Sequence, residues 1–224
     1  LAERPFGRVR TEDLLPLNSV TKSVVSMLVG AALHDGALPG LHATVAQLLP
    51  EAARRHRGSA LGTATLAQLL SGRTGVDDDP GLEAASDVVD FALALPAAAA
   101  GTLPWSYNDA AVALLGPILA RATGEDVEAY AERVLWRPLG IDRWLWPRDR
   151  QGRPMTWRGL RLRALDMARL AAVMADGGRW QGRPLLPADW VLQSLRAHGP
   201  ATWQVDPVTD IGYGYLWFTG RLLG

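Results

Sequence analysis

Asn18-Ser19-Val20-Thr21-Lys22 leads directly into an apolar run at residues 23–33, Ser-Val-Val-Ser-Met-Leu-Val-Gly-Ala-Ala-Leu. So many apolar residues in one segment predict a buried helix that begins near Ser19. Residues three apart lie on the same side of a helix, so the Ser19 hydroxyl and the Lys22 amine are expected to meet. A serine and a lysine in contact can act as nucleophile and base.

Lys22 is the only lysine of the chain, although lysine and arginine together number 23. Burial disfavours an ammonium group, so this position favours a neutral amine that can take a proton. The helix start also favours a developing oxyanion, because its first N–H groups are unpaired and carry the positive end of the dipole. The structural alternative is that Asn18 or Ser19 only caps the helix and Lys22 extends to water.

The composition indicates a sizeable core, in one large domain or two lobes, since 48% of the 224 residues are hydrophobic. A formal net charge of zero gives no indication of nucleic acid or an anionic membrane as a partner. The longest apolar run, residues 24–33, is too short to span a membrane. With no cysteine, a thiol nucleophile and a thiolate metal site are excluded. The compartment stays open.

Helical periodicity recurs along the chain. Thr65 and Asp109 are predicted helix caps, and the alternation of residues 211–218 predicts a strand. Residues 144–159, rich in Trp, Arg and Pro, should be irregular, with Trp side chains that roof a cleft or fill the core. The acidic run 77–79 is interpreted as a solvated loop rather than a metal site, because successive side chains diverge. The predicted helices cover residues 19–33, 44–49, 66–70, 84–95, 110–123, 125–136, 163–176 and 187–197.

Several short motifs occur in the order in which a known superfamily carries them. Ser19-Val20-Thr21-Lys22 matches an S-x-x-K motif, and Tyr107-Asn108-Asp109 stands where a Y-x-N motif is found. In order, the motifs resemble the serine β-lactamase and penicillin-recognising hydrolase superfamily, most closely its class C-like branch of esterases, D-aminopeptidases and 6-aminohexanoate-dimer hydrolases. The other matching segments are residues 69–76, with Thr74 for the usual Ser, and residues 114–116, 138–141, 166–169, 177–180 and 187–190.

The resemblance implies an α+β fold of the β-lactamase/DD-peptidase type, in which a helical lobe packs against an antiparallel sheet made from both termini. We expect residues 1–224 to form one such domain, truncated at both ends. The chain would then hold mostly the helical lobe with one or few antiparallel strands, and the terminal sheet segments would be missing.

The resemblance also implies a role for each matching residue. Ser19 would be the acylated nucleophile, Lys22 its base, and Tyr107 the group that shuttles the proton to the leaving group. A tyrosine at a junction between loop and helix should be half-buried, and a nearby ammonium would favour its phenolate. The alternative is a packed aromatic ring whose hydroxyl binds the backbone. Asn108 and Asp109 would line the substrate site.

Two departures from the family pattern stand out. Asp109 occupies the Asn position of Y-x-N, which replaces an amide donor by a carboxylate that only accepts. It could hold Lys22 charged, orient it or cap the helix that follows, and Asn108 keeps an amide nearby. The third motif, K-[ST]-G or a variant, is absent, since Phe218-Thr219-Gly220 lacks the cation and His198-Gly199 comes too early.

The predicted function is therefore a serine hydrolase that cleaves an ester or amide of a small molecule through an acyl-enzyme, without a metal or organic cofactor. A D-Ala-D-Ala peptidase or a true β-lactamase would use the same residues. A non-catalytic relative that binds a peptide or glycan in the same cleft, and an all-helical interaction protein, are the alternatives of a different class. Neither oligomeric state nor compartment follows from the sequence.

Overall fold

A computed structural model of the chain describes residue 4 and residues 7–98, 105–201, 203 and 206–222. Helices dominate it, joined by a 3-10 helix (Pro80–Ala84) and by a π-helical segment (Glu132–Trp136) between α9 and α10. The α-helices are α1 (Val20–His34), α2 (Val45–Leu48), α3 (Pro50–Arg55), α4 (Ala60–Thr63), α5 (Leu66–Ser71), α6 (Val88–Ala94), α7 (Asp109–Ala113), α8 (Leu115–Thr123), α9 (Val127–Ala131), α10 (Arg137–Leu139), α11 (Ala164–Ala175) and α12 (Ala188–Leu195).

The described strands are short and pair antiparallel in three sheets, ordered β1-β2, β3-β4 and β5-β6-β7. Helices with small antiparallel sheets make the α+β class that the resemblance implied. The strands are β1 (Leu15–Pro16), β2 (Arg161–Leu162), β3 (Arg179–Trp180), β4 (Arg183–Pro184), β5 (Gly199–Pro200), β6 (Val208–Tyr213) and β7 (Phe218–Leu222).

Helix α1 is the centre of the core. Every residue from Val24 to Ala32 is buried, as expected for a helix that is apolar all round. It packs against α8 and the π-helical segment, and Gly30 lets the Trp190 indole of α12 approach so closely that a Cβ there would lie 2.2 Å from the ring. The predicted helix at residues 19–33 is therefore confirmed within one residue at each end.

Of the two predicted helix caps, one is confirmed and the other is wrong. Thr65 caps α5 and forms a reciprocal capping box with Gln68, as predicted. The predicted cap Asp109 is instead the first residue of α7, and the Asn108 side chain accepts the N–H of Ala111. Asn fits this role as well as Asp does, since both oxygens reach the N–H groups of the first turn.

The predicted strand at residues 211–218 is wrong in its bounds, because this segment bends. β6 ends at Tyr213, the turn contains Leu216 at φ 63°, and Phe218 begins β7. The bend is fixed by contacts far along the chain, since the N–H of Tyr215 donates to the Ser194 carbonyl at 3.0 Å and that of Leu216 to the Leu70 carbonyl at 2.9 Å.

The Trp-rich segment at residues 144–159 contains neither helix nor named strand, as predicted. Trp146 and Trp157 are 5% and 2% exposed, so they fill the core. Its backbone forms isolated bridges, including Leu145 with Arg161. Within the described ranges, no helix is both long and apolar enough to cross a membrane.

Candidate active site

The start of α1 is fixed by hydrogen bonds to the segment that follows the Trp-rich region. Thr21 is fully buried, and its hydroxyl donates to the Asn18 carbonyl at 2.6 Å and accepts the Leu160 N–H at 3.1 Å. The Leu17 N–H donates to the Leu160 carbonyl at 2.8 Å. Asn18 has a left-handed backbone, at φ 46°, a conformation rare for a non-glycine residue. These contacts hold Ser19 exposed at the helix start.

Ser19 does not use its side chain as a cap; its Oγ accepts a hydrogen bond from Lys22 Nζ at 3.1 Å. Among the described residues, no acceptor takes the Ser19 N–H. This N–H lies at the positive end of the α1 dipole, where it can stabilise a developing oxyanion. The structural alternative, in which Ser19 is a cap, does not describe this geometry.

Lys22 is buried, with 1% of its surface exposed, so it does not extend to water. Its Nζ donates to the Trp157 carbonyl at 2.6 Å and lies 2.7 Å from Asp109 Oδ1. The second contact is an ion pair without hydrogen-bond geometry, since Oδ1 has no hydrogen-bond partner among the described residues. Lys22 Nζ is therefore surrounded by two hydrogen-bond acceptors and one carboxylate charge.

The side-chain amide of Asn108 forms its hydrogen bonds with backbone groups. Its Nδ2 donates to the carbonyls of Val76 and Asp77 at 2.9 and 3.1 Å, and its Oδ1 accepts the Ala111 N–H at 2.8 Å. The side chain is buried, with 4% exposure. The expectation that Asn108 keeps an amide available to a substrate is therefore corrected: Asn108 ties α7 to the loop that follows α5.

The acidic loop is exposed at Asp77 and Asp78, as predicted, and Asp78 also contacts the residue beside Lys22. Asp78 Oδ1 accepts the Asp109 N–H at 2.8 Å. Partial burial raises the pKa of Asp78, and the negative charge of Asp109 raises it further. The hydrogen bond from the Asp109 N–H lowers the pKa, but it does not cancel the rise. Asp79 binds the Gly81 N–H at 2.7 Å as a cap. Asp79 thus supports the local backbone, and Asp78 binds the N–H of the residue that contacts Lys22.

Tyr107 presents its ring, not its hydroxyl, to the amine. Lys22 Nζ lies 4.6 Å from the ring centroid, a cation–π distance. This differs from the predicted contact in which the ammonium stabilises a phenolate. The ring belongs to an aromatic cluster, with centroid distances of 4.9 to 6.4 Å from Tyr107 to the rings of Trp105, Trp203, Tyr213 and Phe218.

The cluster also closes the space beside the amine. Burial raises the pKa of the Tyr213 phenol well above its usual range, and Tyr107 and Asp109 add to this. The void bordered by Lys22, Tyr107 and Tyr213 has room for about one water molecule. Larger pockets lie elsewhere, around α3, α4 and α6, and no residue of the Ser19 site lines them.

Comparison with known families settles which fold this site is built on. A sequence model of the Beta-lactamase family matches residues 1–223. The chain belongs to that family. Its match to the family agrees with the order of motifs around Ser19 and Lys22.

This beta-lactamase-family chain is similar to proteins of several kinds. It is 31% identical, over 161 residues, to the esterase EstB of Burkholderia gladioli, a match that covers 63% of this chain and 41% of the esterase. It superposes with a TM-score of 0.80 and 18% identity on a Bacillus anthracis structure described as a 6-aminohexanoate-dimer hydrolase, covering 97% of this chain and 61% of that one.

The octameric penicillin-binding protein homologue of Pyrococcus abyssi shares the same fold, with a TM-score of 0.74, 18% identity and coverage of 93% and 54%. At these identities the two structures bear on the fold alone. The beta-lactamase-family chain thus spans less than two thirds of the length of each of these relatives.

The two segments that partly match a third motif, at His198 and Thr219, lie in or beside the β5-β6-β7 sheet. His198 stacks on Tyr215 at 4.1 Å between centroids, and its ring contacts the Gln193 carbonyl at 3.0 Å. Thr219 pairs with Gly212 within the β6–β7 hairpin. Neither side chain contacts Lys22 or Ser19 in the described part of the chain.

Proposed function

We propose that this chain carries the nucleophile and base of a serine hydrolase that cleaves esters or small amides through an acyl-enzyme. The observation that carries the proposal is the 3.1 Å contact between Ser19 Oγ and the buried Lys22 Nζ at the start of α1. A lysine exposed on the surface would give no reason to expect proton transfer. A buried lysine in contact with an exposed serine hydroxyl gives such a reason, because it can take the hydroxyl proton.

In the proposed reaction, Ser19 Oγ attacks the substrate carbonyl carbon while its proton passes to Lys22 as a neutral amine. The Ser19 N–H donates to the oxyanion that forms. The bond to the leaving alkoxide or amine then breaks, and the leaving group takes a proton from the Lys22 ammonium. Water attacks the acyl-enzyme by the same steps and releases the acid.

Tyr107 is proposed to contact the ammonium through its ring face, since Nζ lies 4.6 Å from the ring centroid. Its earlier predicted role, proton transfer to the leaving group, requires its hydroxyl to reach the reacting atoms and stays a prediction. Asp109 is proposed to act on Lys22 rather than on the substrate, because its carboxylate is 2.7 Å from Nζ.

The esterase relative favours an ester as the first substrate to test. Intact-mass spectrometry after incubation with a fluorophosphonate should show one adduct, and Ser19→Ala should remove it. The matched control is Ser23→Ala, because Ser23 lies one turn along α1 and its hydroxyl donates to the Leu216 carbonyl instead. A parallel incubation with a fluorescent penicillin tests for a β-lactam substrate.

A non-catalytic relative that binds a ligand in the same cleft is the second candidate. The ion pair between Lys22 and Asp109 and the narrow void beside them favour it. Absence of any adduct on the wild-type chain, with the protein folded by circular dichroism, would favour this candidate over the hydrolase.

A further inference from the structure

Asp109 lies closer to Lys22, the proposed base, than the proposed nucleophile does. Its Oδ1 lies 2.7 Å from Lys22 Nζ, closer than Ser19 Oγ at 3.1 Å. The inference below rests on the proposed function, because it concerns how Lys22 becomes able to take the Ser19 proton.

The groups that face Nζ come from every element packed against it. α1 contributes Ser19, the Trp-rich segment contributes the Trp157 carbonyl, and α7 contributes Asp109. The phenols Tyr107 and Tyr213 border the same void. Asp78, on the loop before α6, adds a second negative charge nearby. No arginine forms an ion pair with Asp78 or Asp109 in the part of the chain that is described.

The ammonium and the neutral amine of Lys22 differ in the number of N–H donors that they offer to the groups around Nζ. An ammonium has three N–H donors and a full positive charge: two of its donors bind Ser19 Oγ and the Trp157 carbonyl, and its charge faces Asp109 Oδ1 at 2.7 Å. A neutral amine has two N–H donors and one lone pair. In the neutral state the Trp157 carbonyl still takes one N–H group, and the negative charge of Asp109, 2.7 Å from Nζ, repels the lone pair. The lone pair is then left to face the Ser19 hydroxyl, as a base requires.

We propose that Asp109 is a positioning residue that keeps Lys22 an ammonium at rest and directs its lone pair to Ser19 once the proton is lost, so that rising pH switches on acylation. The carboxylate has two opposite effects. It lowers the fraction of neutral amine at neutral pH, and it stabilises the ammonium that forms when Lys22 takes the Ser19 proton. The second effect resembles the role of the aspartate in a Ser-His-Asp triad.

Asp109→Asn removes the charge at nearly constant shape and separates these effects. The measurement is the rate of Ser19 labelling by a fluorophosphonate as a function of pH. The pH of half-maximal labelling should fall by at least about one unit, since an opposite charge at this distance shifts proton equilibria by about that much or more. Below both midpoints the variant should label about threefold faster or more. On the alkaline plateau it should label more slowly than wild type.

The single lysine allows a direct readout that does not depend on activity. Protein labelled with ¹³C at lysine Cε gives one lysine resonance, because Lys22 is the only lysine of the chain. Its titration midpoint should fall by at least about one pH unit in Asp109→Asn, a tenfold change in the neutral fraction. Asp77→Asn is the charge-matched control, since Asp77 is an exposed residue of the same loop and forms no ion pair among the described residues. Its midpoint should match wild type.

An unchanged resonance midpoint in Asp109→Asn, or an equal shift in Asp77→Asn, would overturn the inference. A shifted midpoint without any Ser19 adduct would leave Asp109 as the group that holds Lys22 charged and would refute the hydrolase instead. Slower labelling by Asp109→Asn at every pH, with an unmoved midpoint, would show that the carboxylate supports the fold of the site and does not set the charge of the amine.

Discussion

Lys22 contacts groups from three parts of the chain: a hydroxyl three residues away, a backbone carbonyl 135 residues away and the Asp109 carboxylate. The first was predictable, because helix periodicity places Ser19 and Lys22 on one side of α1. The Trp157 carbonyl was not, since a main-chain oxygen leaves no mark in the sequence. The sequence offered a contact of Asp109 with Lys22 as one of several roles for that residue, and the fold brings the two side chains to 2.7 Å.

Lys22→Met tests the base at this site. Methionine is unbranched like lysine and one atom shorter, so it keeps most of the apolar stem but cannot accept a proton. Loss of a general base should slow Ser19 labelling by about 10²- to 10⁴-fold. Lys22→Arg is the control for charge, because a guanidinium retains the cation yet does not deprotonate. Both variants should be slow, and wild-type labelling by either one would remove Lys22 from the mechanism.

The contact between α1 and α12 depends on the absence of a side chain at Gly30. Gly30 is buried in mid-helix, where alanine would ordinarily gain about 1 kcal/mol of helix stability. Here a Cβ would lie 2.2 Å from the Trp190 indole, and overpacking of a rigid ring costs about 1 to 3 kcal/mol or more. We expect Gly30→Ala to lower the free energy of unfolding by about 1 to 2 kcal/mol in urea titrations, because the clash exceeds the propensity gain.

Gly116→Ala on α8 is the matched comparison. Its Cβ would meet the Thr156 methyl at 3.2 Å, a contact that a small shift relieves. The change in unfolding free energy should stay below about 1 kcal/mol, since gain and crowding nearly offset. Equal stability of both variants would mean that Trp190 can move away from α1.

The same long-range dependence explains why the hairpin was predicted as one strand. Residues 211–218 alternate well enough for a strand, but Gly214 lies where a Cβ would be 2.0 Å from the Ser194 carbonyl. Only the packing of α12 under this turn reveals that a glycine is required there. α1 was predictable to within a residue because its signal is local, whereas the bend depends on α5 and α12.

At the scale of the molecule, the hairpin is joined to the helices beside the site. The Ser23 hydroxyl donates to the Leu216 carbonyl at 2.8 Å, and the Leu216 N–H donates to the Leu70 carbonyl at 2.9 Å. The turn thus connects α1 with α5, and it places Tyr213 and Phe218 against Tyr107. The α+β class followed from the family resemblance and the longer helices from periodicity, but this closure of the site by aromatic rings followed from neither.

Stability of the whole molecule at alkaline pH should depend on buried tyrosines. Tyr130 is 1% exposed, and burial, with a further contribution from Asp35, raises its pKa from 10.0 to about 12. Above pH 10 the unfolded chain therefore loses this proton before the folded chain does. Stability falls as pH rises from about 10 to 12, by up to about 2.7 kcal/mol from this group, and is unaffected by it below pH 10.

Tyr130→Phe removes that loss without emptying the core. At pH 7 the variant should be at least as stable as wild type, because no described residue bonds the Tyr130 hydroxyl and a buried unpaired hydroxyl costs free energy. Urea titrations from pH 7 to 12 should show a shallower alkaline decline for Tyr130→Phe, with the two curves separating only above pH 10. Tyr213, whose pKa burial also raises, should keep part of the decline in both proteins. Parallel curves up to pH 12 would mean that the Tyr130 phenol titrates alike in the folded and unfolded chains, which a fully buried hydroxyl should not do.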